Sequence, residues 1–194
     1  MVLLIAVAVG VAAGFIRTKF HKQSFRNVNI QHLWLVFLAY IPQFFAFYSP
    51  SANTLADKWI PTILIGSQVM LLVFALINRR LPGFALLGLG LLANFSAIAL
   101  NGGFMPTFPD VIRRLVSEEQ AAMFRVGERI LNSKDMLMLR ENTLLWFLGD
   151  VLTLPSWANP TVAFSFGDIV ISMGAFWFFW ELGRPQKNSP EVSP

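Results

Sequence analysis

Long uncharged apolar blocks, separated by short basic or polar stretches, set the pattern of this chain. The first block, Met1 to Ile16, ends in Arg17, Lys19, His21, Lys22 and Arg26 and has no basic stretch ahead of it, so it reads as a retained span rather than a cleaved signal peptide. His32 to Tyr48 predicts a second span, with Trp34, Tyr40 and Tyr48 suited to interfacial depths. After a polar loop at Ser49–Lys58 come a third span, Trp59 to Asn78, a tight turn at Arg79-Arg80-Leu81-Pro82, and a fourth span, Gly83 to Leu100. A last apolar block ends in Phe176-Trp177-Phe178-Phe179-Trp180. Each block approaches the length needed to cross a hydrocarbon core of about 30 Å. The expected fold class is therefore all-α, a polytopic transmembrane helical bundle of about five spans. It divides into a four-span region at 1–100, an external amphipathic helical segment at 101–162, a last transmembrane helix at 163–183 and a polar cytoplasmic tail at 184–194.

Within the external segment, Pro109 can open a helix that runs through Val111, Ile112 and Leu115. Ser117-Glu118-Glu119-Gln120 has the form of a capping box, in which serine and glutamine satisfy two backbone donors reciprocally. From there Ala122, Met123, Val126, Ile130 and Leu131 fall on one stripe, with Arg125, Glu128 and Arg129 opposite. That periodicity predicts an amphipathic helix of about fourteen residues. Leu144 to Leu154 is apolar too, but as a helix it would reach only about 16 Å at 1.5 Å per residue, and it would bury Asp150 in hydrocarbon. It reads as a re-entrant or interfacial element rather than a sixth crossing.

Composition agrees with a bilayer as solvent: 55% of the 194 residues are hydrophobic and 13% charged, where a soluble domain has about a quarter charged. Charge also orients the chain. Four Lys and Arg follow the first span, two the third and two lie in the tail, against Lys58 alone after the second. Short basic loops stay inside, so the amino terminus and the 101–162 segment are expected outside and the carboxyl terminus inside.

Candidate chemistry is sparse. There is no cysteine, which removes thiolate, disulfide and Fe–S chemistry, and no phosphate-binding loop, dinucleotide fingerprint or zinc motif. No catalytic residue or metal site is identified, and the reading leans away from an enzyme. His32, at the mouth of the second span, is a weak candidate for holding a pigment-type cofactor from one side. No cofactor is predicted, although a bound lipid, quinone or pigment is compatible with such a bundle. Gln43, Gln68, Asn94 and Ser96 lie inside apolar runs and are expected to face other helices.

The punctuated motifs gather at the outer face: Asn101-Gly102-Gly103-Phe104-Met105-Pro106, Leu148-Gly149-Asp150 and Ser165-Phe166-Gly167-Asp168. The glycines release the chain from a helix and Met105-Pro106 keeps the helix from resuming. Ser165 with Asp168 fits a cap at the start of the last span. Gly102, Gly103, Met105, Pro106, Gly149, Ser165 and Gly167 are the structural part of these motifs, and Asn101, Asp150 and Asp168 are the candidate polar site for a cation, proton or lipid headgroup.

These ordered motifs, together with Arg26-Asn27 and His32-Leu33-Trp34 opening a span that contains Gln43, resemble a family of small multispanning bacterial membrane proteins of unknown function. The resemblance implies the bacterial cytoplasmic (inner) membrane and carries no activity. The expected partners are the bilayer and other integral membrane proteins, not nucleic acid. The expected function is that of a non-catalytic accessory or assembly subunit of a larger membrane complex. The alternative is a small transporter or a lipid- or quinone-binding membrane protein with an outward-facing polar site.

Overall fold

A computed structural model describes residues 2–21, 27–48, 57–131, 133–155 and 162–184. The loop at 49–56 and the tail beyond Arg184 lie outside these residues. The described chain is mostly helical. Its long helices are α1 (Val2–His21), α2 (Trp34–Phe47), α3 (Ile60–Ile77), α4 (Phe84–Leu100) and α7 (Phe166–Leu182). Two short ones, α5 (Pro109–Leu115) and α6 (Glu118–Ala121), lie between α4 and α7. Among the described residues α3 is the one helix long and apolar enough to cross a membrane, and only 22% of it is buried. A helix this apolar at the core of a soluble protein would be mostly covered.

The five long helices alternate in direction. Asn78, at the end of α3, bonds Gln31, before the start of α2, through both its side-chain atoms. A tight turn reverses the chain from α3 into α4. Gly83, just before α4, and Gly90 within it then meet Gly174 and Gly167 of α7 in antiparallel order, and α1 runs alongside α7 with Gly10 against Phe176 and Gly14 against Gly183. Glycines at these crossings let the backbones touch: a Cβ on Gly90 would stand 2.5 Å from the Gly167 carbonyl. Close approach of this kind is how apolar helices associate where no hydrophobic force separates them from their surroundings. One end of the assembly therefore gathers Arg17, Arg79, Arg80 and Arg184. The other end carries the 101–165 segment.

That segment differs from the expected amphipathic helix. After α6 the chain turns, and Ala122 to Leu131 form no helix. Gly127 and Leu131 adopt positive φ (86° and 51°), and Glu128 and Gly127 exchange backbone hydrogen bonds with Leu137 instead. The apolar residues at 122, 123, 126, 130 and 131 share a helical period by sequence, but backbone pairing across a turn satisfies their amides better than a helix that must pass through Gly127. The capping box at Ser117–Gln120 is formed, and caps the single turn of α6.

Strand β1 (Met105–Thr107) pairs in parallel with β2 (Asp135–Leu137), and β3 (Leu152–Thr153) in antiparallel with β4 (Ala163–Phe164). The last helix starts at Phe166, later than the sequence boundary at 163, because β4 occupies those residues. Leu144 to Leu154 forms no continuous helix: it contains one 3-10 turn, Trp146–Leu148, and then β3.

Candidate functional site

The site is built on β1. Asn101 ends α4 and holds the chain beyond it: its amide nitrogen donates to the carbonyls of Ala97 (2.7 Å) and Leu144 (2.8 Å), and its oxygen accepts from the Leu144 amide (2.9 Å). Gly103 follows at φ 85° with its backbone against Pro61 of α3, a place where a Cβ would overlap the proline ring. The turn delivers Met105–Thr107, all buried, as a strand with a neighbour on each side. On one side the Met105 amide donates to the Lys134 carbonyl (3.0 Å). On the other the Asp150 amide donates to the Pro106 carbonyl (2.8 Å), and the Thr107 hydroxyl donates to the Asp150 carbonyl (3.2 Å). Three residues of β1 thus fix both Lys134 and Asp150, and Gly149 lets the Asp150 strand lie against Pro106, since a Cβ there would stand 2.6 Å from the Pro106 carbonyl.

Across that frame the Lys134 ammonium donates to Asp150 Oδ2 at 2.6 Å and to Asp135 Oδ1 at 3.1 Å. The Asp150 side chain is 2% exposed, whereas that of Lys134 is 38% exposed. Asp150 Oδ1 is buried and meets no hydrogen-bond donor among the described residues. Burial pushes the Asp150 carboxyl up to about 7, against the attraction of Lys134 and helped by the charges of Asp135 and Asp168. Burial works against the Lys134 ammonium as well, but Asp135, Asp150 and Asp168 together outweigh it and hold its pKa above the ordinary lysine value.

Asp168 is placed by α7. Its Oδ2 accepts from the Ser165 amide (3.0 Å), the Ser165 hydroxyl accepts from the Asp168 amide (3.0 Å), and its Oδ1 accepts from the Asn94 amide of α4 (2.9 Å). The Ser165 hydroxyl donates in turn to the Asn94 oxygen (2.8 Å). Gly167 makes room for this junction, because a Cβ there would overlap the Asn94 amide. Both Asp168 oxygens are therefore occupied by structure, and the residue offers the site charge and wall rather than a free ligand.

Asp135, Asp150, Asp168 and Lys134 line one cavity of about 520 Å³, together with Tyr40, Gln43 and Phe47 of α2, Tyr48 just after it, and Phe164. Its volume falls in the range of small-ligand sites, roughly 300–1,000 Å³. Of the three residues singled out by sequence, Asp150 and Asp168 line this cavity. Asn101 does not; its side chain is spent on α4 and Leu144. Gly102, exposed at φ 75°, completes the turn. His32 is away from the cavity, in the turn before α2, and its Nδ1 accepts from the Trp34 indole (3.2 Å). Lys134 and Gln43 complete the site. Lys134 had no sequence signal beyond its neighbour Asp135.

A model of a family of unknown function (DUF5317) matches residues 27–180, and the chain belongs to that family. No curated protein and no solved structure matches it.

Proposed function

We propose that this DUF5317 member is a five-span protein of the bacterial cytoplasmic membrane that acts, without catalysing a reaction, by binding a small polar ligand in the cavity at the outer membrane junction. The observation that carries the reading is Asp150, a carboxyl buried on its frame with Oδ1 unpartnered beside a cavity of ligand size. A buried acceptor without a partner costs about 1–3 kcal/mol, a cost that a bound donor removes. The membrane part of the proposal is supported by the apolarity and exposure of α3, by the alternating directions of the long helices, and by the arginines gathered at one end. It is supported too by the large apolar side chains exposed along α2, among them Trp34, Phe37, Ile41, Phe44 and Phe45, more apolar surface than a water-soluble protein presents. On this reading 1–100 and 163–183 are membrane, 101–162 is external and 184–194 is cytoplasmic.

The absence of cysteine makes a clean test. In intact cells a membrane-impermeant maleimide should label Glu118→Cys and leave Arg79→Cys unlabelled until the cells are lysed. Labelling of both, or of Arg79→Cys alone, overturns the orientation. The exposed aromatic row on α2 favours a second role, contact with a partner subunit in a larger membrane complex. Purification from native membrane under mild detergent tests this role; a stoichiometric second protein lost on Phe37→Ala and Phe45→Ala substitution supports it.

A further inference from the structure

The charges and the orphan acceptor of the cavity specify what kind of ligand fits. Among the described lining residues three carboxylates, Asp135, Asp150 and Asp168, face one ammonium, Lys134. The cavity is thus anionic with Asp150 ionised, and it does not become cationic when Asp150 takes a proton. An anionic headgroup is disfavoured there. The lining also holds four aromatic side chains, Tyr40 and Phe47 of α2, Tyr48 just after it, and Phe164, a residue type that attracts a cation. Asp150 Oδ1 needs a hydrogen-bond donor, which a primary ammonium has and a quaternary ammonium lacks. A bare divalent cation is poorly served, since Lys134 occupies the other Asp150 oxygen and both Asp168 oxygens accept bonds from Asn94 and Ser165.

We propose that the cavity binds a primary ammonium group of the ethanolamine type, with one N–H donated to Asp150 Oδ1 and the cation held by the lining aromatic side chains. This rests on the ligand-binding reading of the same cavity given above. Two sources carry that chemistry, the headgroup of an aminophospholipid and a free amine. The carboxyl end of α2 and the amino end of α7 flank the cavity, so on the membrane reading it lies at headgroup depth. The Lys134 ammonium already bonded to Asp150 shows that this carboxyl accepts from a primary ammonium; the ligand supplies a second one to the oxygen Lys134 leaves free.

The test uses the full chain in nanodiscs. One set of discs contains phosphatidylethanolamine mixed with phosphatidylglycerol, the other phosphatidylglycerol alone. Native mass spectrometry reads retained lipid, and calorimetric titration of ethanolamine or choline into the second set reads the free amine. The expected result is selective retention of phosphatidylethanolamine or binding of free ethanolamine, the arm that responds identifying the source, with choline weaker than ethanolamine. Asp150→Asn should weaken binding about ten- to a hundred-fold, the range for a hydrogen bond to a charged group. Tyr40→Ala, an exposed position on α2 whose loss does not threaten the fold, should weaken it about three- to thirty-fold. Selective retention of phosphatidylglycerol that depends on Asp150 or Lys134 overturns the ammonium inference and leaves the ligand-binding reading standing. Choline binding as tightly as ethanolamine, or affinity indifferent to both substitutions, also overturns it. If neither phosphatidylethanolamine nor ethanolamine binds, the ammonium inference falls; the ligand-binding reading falls with it if wild-type protein from native membrane also retains no small molecule that Asp150→Asn or Tyr40→Ala releases.

Discussion

Removal of the Lys134 ammonium tests the electrostatic centre of the site, and its effect should depend on pH. In Lys134→Met the apolar stem of the side chain is kept and Asp150 loses the donor to Oδ2, leaving a carboxyl 2% exposed with neither oxygen paired to a side chain. Breaking a buried ion pair from one side costs about 3–5 kcal/mol. Lys134 is itself 38% exposed, so solvent already screens part of the attraction and the low end, about 3 kcal/mol, applies. That cost is met only while Asp150 is ionised. Its carboxyl titrates near 7 with Lys134 in place, and without Lys134 it titrates higher still. At pH 6 both proteins carry a largely neutral Asp150, and the substitution should cost about 1 kcal/mol, the low end for a buried acceptor left unpaired. By pH 9 the wild-type group is ionised against Lys134 while the variant must hold a proton or a bare charge. The cost at pH 9 is then the low-end figure for a buried pair broken from one side, about 3 kcal/mol, or roughly 6–12 °C in apparent Tm for a chain of this size. Thermal unfolding of purified protein in one detergent at pH 6 and pH 9, followed by size-exclusion recovery, reads this difference. Adding Asp150→Asn to Lys134→Met should abolish it. Equal losses at the two pH values, or a double variant no better at pH 9 than Lys134→Met alone, would refute the buried pair.

Other consequences follow from the same frame. Native Asp150 keeps its proton to about 7 against 3.8 in the unfolded chain, so the native state binds more protons between these values. The stability this group contributes is full below about pH 4 and is lost as pH rises through 7; Asp150→Asn should flatten that slope in a Tm-versus-pH series. Asn101→Ala leaves the Leu144 amide and carbonyl without their side-chain partners and should cost about 2–4 kcal/mol by thermal unfolding. Ligand affinity should fall with it, because Leu144 leads into Asp150. Gly167→Ala pushes a methyl into the Asn94 amide and should cost about 1–3 kcal/mol. Gly66→Ala, which meets nothing within 4 Å, is the control and should leave Tm unchanged or slightly raised.

The helices were legible where apolarity and helix end together. Trp59–Asn78 and Gly83–Leu100 differ from α3 and α4 by a residue or so at each end, since a polar turn closes both blocks. The first apolar block ends at Ile16, yet α1 continues to His21, because hydrogen bonding of a helix does not stop where its side chains become basic. Ser165 and Asp168 declared a cap by type and spacing, and the cap is there. What could not be read was the frame of the site. The β1–β2 pairing is three residues long, too short to show a period of two, and parallel partners that far apart in sequence leave no local mark. Lys134 reaches Asp150 only through that pairing, so it looked like any charged turn residue. Asn101 had the opposite fate: a polar residue at a conspicuous motif suggested a ligand, and its capacity is used up by the backbone of Ala97 and Leu144.

The most direct test of the central claim is an electron cryomicroscopy map of the wild-type protein purified from native membrane with its lipids retained. Density is expected in the cavity that Tyr40 and Asp150 line, within hydrogen-bond distance of Asp150 Oδ1, with Lys134 on Oδ2. A well-resolved cavity that is filled by the chain's own side chains, or an Asp150 Oδ1 bonded within the protein, would contradict it.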